Sequence, residues 1–98
     1  MQREDPRVGA RVKFGDVFVS REDRYSLGTE LGSGTHYVSI AVSNGLVDYE
    51  EYYAISPQQF EVLLSDKSAA VEFVEACRRH QHDDLLILKP GANRGTPV

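Results

Sequence analysis

The sequence predicts an α+β fold: a single antiparallel β-sheet of about five to six strands in meander order, with two helices packed on one face. Three observations carry that expectation. Short segments before Ser56 alternate apolar with polar residues, the period of a half-buried strand. Between Pro57 and His80 the apolar spacing lengthens twice to that of an amphipathic helix. Asn44-Gly45, flanked by apolar alternation, is the strongest short hairpin signal, because both residues accept positive φ.

The elements follow in order. "VGARVKF" sets Val8, Ala10, Val12 and Phe14 against Arg7, Arg11 and Lys13, which predicts a first strand. Gly15-Asp16 reads as a two-residue turn into "VFVS" as its short partner. "REDR" interrupts the pattern, and Tyr25, Leu27, Thr29 and Leu31 then share one face of the next strand. "GSG" at 32–34 supplies the following reversal, after which the hairpin around Asn44-Gly45 contributes two more strands. Ser56, Pro57 and Gln59 form a helix start, with Phe60, Leu63 and Leu64 on one helical face. A second helix begins near Ser65 or Asp66 and places Ala70, Phe73, Val74 and Cys77 inward, Glu72 and Glu75 outward. "DDLLILKPG" reads as a last strand at or beside the sheet, stopped by Pro90-Gly91. The 98 residues are expected to form one domain. Residues 1–6 and 92–98 are expected as flexible or extended tails, and "KPGANRGTPV" at 89–98 is also able to fold back over the sheet as a clip or to offer an extended ligand to a partner.

Composition limits the function. No run approaches the ~18 apolar residues of a membrane helix, and "MQREDPR" lacks the apolar stretch of a secretory signal. Cys77 is the single cysteine, so neither an internal disulfide nor a thiolate metal cluster can form, and a cytoplasmic setting is expected. Charge is segregated. Residues 25–76 hold Lys67 against eight acids, while 77–98 hold four Arg/Lys against two. An acidic centre repels phosphates and anionic lipid and suits a basic partner, so no nucleic acid and no membrane are expected as targets.

With a two-residue turn, the hairpin pairs Val42 with Val47, Ile40 with Tyr49, Val38 with Glu51 and His36 with Tyr53. "DYEEYY" is then dealt to opposite faces. Glu51 falls inward with His36 and Tyr53 beyond it, a carboxylate, imidazole and phenol that could together do acid–base work. Competing arrangements are a bulge at Glu50-Glu51 that turns Tyr52 inward and both acids outward, or a place for Glu51 at the sheet rim. No nucleophile, phosphate loop or oxyanion motif accompanies the set, so the chain is expected to be non-enzymatic.

The other face pairs Tyr37 with Tyr52, flanked by Asp48 and Glu50. Exposed aromatics ringed by acids have the anchor-and-rim form of a protein interface. The expected function is a protein-binding module using Tyr37, Asp48, Glu50 and Tyr52. A Glu51/His36/Tyr53 pocket and a homodimer built across the tyrosines are the alternatives. Cys77 reads as a buried structural thiol, "HQHDD" as a polar helix exit rather than a metal site, and "LGSGT" as a turn without the Lys of a phosphate loop. No cofactor is expected. In size and charge alone the chain resembles small bacterial proteins that neutralise or escort a partner, toxin-immunity proteins among them; the likeness assigns no residue.

Overall fold

The computed structural model describes residues 13–98, and in it the strands β1 (Phe14–Ser20), β2 (Tyr25–Glu30), β3 (His36–Ser43) and β4 (Asp48–Ile55) follow one another as an antiparallel meander. Helices α1 (Pro57–Ser65) and α2 (Lys67–Arg78) come next, then a single 3-10 turn at Asp83–Leu85 and the two-residue strand β5 (Thr96–Pro97). The α+β class and the meander are as expected.

Local chemistry explains the helix boundaries. Ser56 Oγ accepts from the Gln59 amide at 3.0 Å with Pro57 at the first helical position. Asp66 ends α1 by donating its amide to Val62 O and starts α2 by accepting from the Ala69 amide at 3.1 Å. His80, at φ 62, closes α2, with Gln81 N–H reaching back to Ala76 O at 3.0 Å. Arg78 then donates to the carbonyls of Asp23 and Arg24 at 2.8 and 3.0 Å, tying the end of α2 to the β1–β2 turn.

Both helices cover one sheet face. Leu27, Val38, Ile40, Val42 and Tyr53 meet Phe60, Leu63, Ala70, Val74 and Cys77 there. Each fully buried aliphatic chain of this kind contributes roughly 1.5–3 kcal/mol. β3 is buried on both sides, since Tyr37 and Ser39 on the outer face are as inaccessible as Val38 and Ile40 on the inner one.

Several expectations need correction. Residues 8–12 of the expected first strand lie outside the described residues. Gly15-Asp16 is not a turn but part of β1; the reversal is Arg21–Arg24, where Arg24 takes φ 60. β1 carries a bulge between Asp16 and Phe18, which leaves Asp16 on the outer face opposite Gly28 and turns Phe18 to the inner side opposite Leu27. The hairpin register is offset by two residues, with Ser43 opposite Asp48 and Ile40 opposite Glu51. Asn44 is the cause: its side-chain oxygen accepts from the Leu46 and Val47 amides at 2.9 and 3.0 Å, drawing both residues into the loop. An even offset preserves the faces, so inward and outward assignments survive. No bulge occurs at Glu50-Glu51. "DDLLILK" is not a strand; Leu86 makes one bridge to Tyr53, Ile87 N–H donates to Tyr52 O at 2.8 Å, and the chain leaves the sheet.

The final strand is instead β5. β2 pairs with β3 only as far as Ile40, leaving Ala41–Ser43 without a neighbour on that side. Thr96 and Pro97 pair there with Ser43 and Val42, and Val98 N–H donates to Ala41 O at 3.2 Å.

Glu30 organises the β2–β3 turn. One carboxylate oxygen accepts from the Ser33 hydroxyl and amide at 2.6 and 2.7 Å, the other from the Lys13 and Gly32 amides at 3.0 and 2.9 Å. The Ser33 hydroxyl, followed by the Lys13 and Gly32 amides, holds its carboxyl at about 2 against an ordinary 4.5. A depressed native pKa supplies stability that is complete above the unfolded value and is lost as pH falls from 4.5 through about 2. Glu30→Gln should therefore flatten the fall in urea midpoint between those two pH values. An unchanged slope would show that the turn does not couple to folding.

Candidate functional site

Two clusters stand out, one on each face. On the outer face Phe14 of β1 and Tyr52 of β4 stack with ring centroids 3.4 Å apart, and Tyr37 stands edge-on to both at 5.2 and 5.0 Å. β1 and β4 are the two ends of the four-strand order, about 14 Å apart in a flat sheet. Their stacking requires the sheet to curl toward its outer face. Gly28 permits the approach: a Cβ there would lie 2.3 Å from Gly15 O and 2.5 Å from the Tyr37 hydroxyl. The Tyr37 hydroxyl passes over this glycine and donates to Asp16 Oδ1. Burial, then this hydrogen bond, raises the Tyr37 pKa, so the phenol stays protonated.

The expectation of two exposed tyrosines is corrected here. Tyr37 is wholly buried and acts as the floor of the face, while Tyr52 is half-buried at its surface. Asp16 and Glu50 are exposed beside it, and Asp48 is exposed further along the same face of β4. Burial beside the ring cluster raises the Glu50 pKa, and the Asp16 charge adds to that; the Tyr52 phenol is raised by burial and then by Glu50 and Asp16. The ion pairs of Lys67, Arg78 and Arg94 go to Glu22, Asp23, Glu75, Glu51 and Asp83 rather than to these three carboxylates. A depression of about 350 Å³ adjoins Glu50, lined also by Val19, Ser26, Ala41 and Arg21.

The inner face holds the second cluster. Glu51 is buried and inward, and Arg94 grips it through Nε at 2.8 Å and Nη2 at 3.0 Å. The same guanidinium reaches Asp83 at 2.8 and 3.0 Å. Tyr53 donates its hydroxyl to Glu51 Oε1 at 3.1 Å, and its pKa is raised by burial and then by the Glu51 charge. His36 is elsewhere. It lies opposite Ile55, its Nδ1 is 3.1 Å from Thr29 Oγ1, and its ring stacks on Phe60 at 4.2 Å. The carboxylate and phenol of the expected acid–base trio are thus together and the imidazole is not. Arg94 engages both oxygens of Glu51, Tyr53 adds a third hydrogen bond, and the carboxylate is buried, an arrangement of a structural ion pair rather than of a general base facing a substrate.

The remaining candidates are dispersed. Cys77 is buried, and burial pushes its thiol up to about 12, a protonated and unreactive state. His82 stacks on Phe73 at 4.5 Å, His80 is exposed, and Asp83 is held by Arg94, whose hydrogen bonds lower its pKa. Among the described residues no three His, Cys, Asp or Glu side chains converge on a metal-binding geometry, and no helix is long and apolar enough to cross a membrane. The chain matches no protein-family model, no curated protein and no solved structure.

Phe14, Asp16, Asp83 and Arg94 were missed as site residues. Two signals were present. Gly28 in mid-strand marks a close approach on the face it occupies. An inward Glu51 demands a cation, and the basic residues after Cys77 are where to look for one.

Proposed function

We propose that this protein is a non-enzymatic module that binds a basic segment of another protein on the outer face of its sheet. One observation carries the reading: Tyr52, held by its stack on Phe14, is flanked by the exposed carboxylates Glu50 and Asp16, which the ion pairs of Lys67, Arg78 and Arg94 do not engage. Asp48 lies further along the same face of β4. A rigid aromatic with a half-exposed face accepts the stem of an arginine or lysine, and the flanking carboxylates accept its charge. Tyr37 and Gly28 support that surface from beneath. Arg21 and Arg24, at the β1–β2 end of the depression, set a limit on how far a cationic ligand extends. The face repels phosphate, and a lone protonated thiol suits a cytoplasmic setting.

The test is a titration of isotopically labelled protein with a short arginine-rich peptide, followed by amide shifts. Shifts should cluster at Phe14, Asp16, Glu50 and Tyr52. Tyr52→Ala and Glu50→Lys should each weaken binding about tenfold, equivalent to about 1.4 kcal/mol. Glu72→Lys, on the outward side of α2, should change it little. Equal losses in all three variants, or shifts centred on the helices, would reduce the interaction to unspecific charge attraction.

A further inference from the structure

The last five residues fill a groove with a defined chemical profile. Arg94 is forked against Glu51 at 2.8 and 3.0 Å and against Asp83 at 2.8 and 3.0 Å. Gly95 is buried and donates its amide to the Tyr49 hydroxyl at 2.7 Å. A Cβ on Gly95 would sit 2.4 Å from both C and O of Ser43, which are backbone atoms with little freedom to move. Beyond it the chain runs extended along the edge of β3, paired at Ser43 and Val42 and bonded at Ala41. The groove specifies an arginine, then a residue without a side chain, then a strand.

Every group that reads this profile belongs to residues 41–51 or to Asp83. The tether between Ile87 and Arg94 is exposed throughout, contains Pro90-Gly91, and bonds to the body through Asn93 O and the Asn44 side chain at 3.3 Å. None of the recognition depends on the segment being joined covalently to its own groove.

We propose that this groove is a binding site for an extended Arg-Gly peptide, and that it takes the segment from a second copy of the chain, each copy placing residues 94–98 in the other's groove. The identical contacts form in both arrangements, so exchange has little intrinsic cost. A short tether gives the chain's own segment an effective concentration on the order of millimolar, so the exchanged pair grows with protein concentration toward that value. The proposal rests on other contacts than the outer-face reading; the two sites meet at Ala41 and Val98, which line the depression beside Glu50, while Phe14 and Tyr52 take no part in the groove.

Ser43 and Thr96 are register partners. Full-length Ser43→Cys and Thr96→Cys variants, mixed near millimolar concentration and oxidised, should form a mixed disulfide, scored by mass. Formation should slow about tenfold when the Thr96→Cys chain also carries Arg94→Ala. In parallel, a synthetic peptide of residues 92–98 added to the wild-type chain should shift the amides of Ala41–Ser43 and release the resident segment. Peptides with Arg94→Ala or Gly95→Ala should act about tenfold more weakly. These peptides need no folding, so the second arm stands even if a protein variant unfolds. Three peptides acting alike, or none acting at millimolar concentration, would overturn the site. Discriminating peptides without a faster mixed disulfide would overturn the second copy as the source of the ligand.

Discussion

Arg94→Ala is expected to lower the unfolding free energy by about 3 kcal/mol, the lower end of the range for removing one partner of a buried ion pair. Glu51 sets the size of the loss. Its side chain is 5% exposed, and without Arg94 it keeps the Tyr53 hydroxyl at 3.1 Å while losing both charged donors. Asp83, with 40% of its side chain exposed, can return to water and adds little. For a chain of this size the loss corresponds to a drop in Tm on the order of 15 °C. Arg94→Lys should recover only part of it, because an ammonium cannot serve two carboxylates with paired, planar bonds. Replacing Glu51 and Arg94 together by leucine should recover more, since no buried charge is then left unpaired. Urea denaturation of the three variants is the measurement. A loss below about 1 kcal/mol for Arg94→Ala would place the pair among ordinary surface contacts.

Gly28→Ala should cost about 3 kcal/mol, at the upper end for overpacking. The added methyl meets Gly15 O at 2.3 Å and the Tyr37 ring at 2.6 Å, and neither is the loose end of a flexible side chain. To make room, β1 must move away from β2 or the Tyr37 ring must lift, and either opens the Phe14–Tyr52 stack. Near-ultraviolet circular dichroism should therefore fall together with the thermal midpoint. Tyr37→Phe separates the two contributions. It keeps the ring and removes the donor to Asp16, an exposed acid that water can satisfy, so it should cost only about 1 kcal/mol. Similar losses for both variants would mean that the hydroxyl, rather than the space over Gly28, holds the outer cluster together.

Much of the fold was legible because it rests on local chemistry. Both helix starts are written in Ser56-Pro57 and Asp66, and the inward stripe of α2 reads directly from its spacing. The faces of β3 and β4 were also legible despite the wrong register, because an offset of two leaves alternation intact. The errors arose where side chains replaced the expected turn chemistry. Asn44 captured two extra residues into its loop, and Gly15, whose type suggested a turn, instead lies within a strand beside a bulge. The clusters were legible only in part. Tyr52, Glu50 and Glu51 could be assigned to faces, but what covers Tyr37 or neutralises Glu51 comes from residues 23 positions upstream and 43 downstream, and no local pattern encodes such pairings.

The separation between Glu51 and Arg94 also orders events in time. Every other pairing of the meander joins neighbouring segments, which close quickly and early. Glu51 enters the forming interior with no counter-ion, and the arginine that matches it is the forty-third residue to follow. A chain still being synthesised must hold the sheet open around that carboxylate or shield it with water, and the last edge of β3 stays unpaired until the same segment arrives. The interior around Glu51 is thus sealed only once residues 94–98 have been added to the chain, whatever order the rest of the sheet follows.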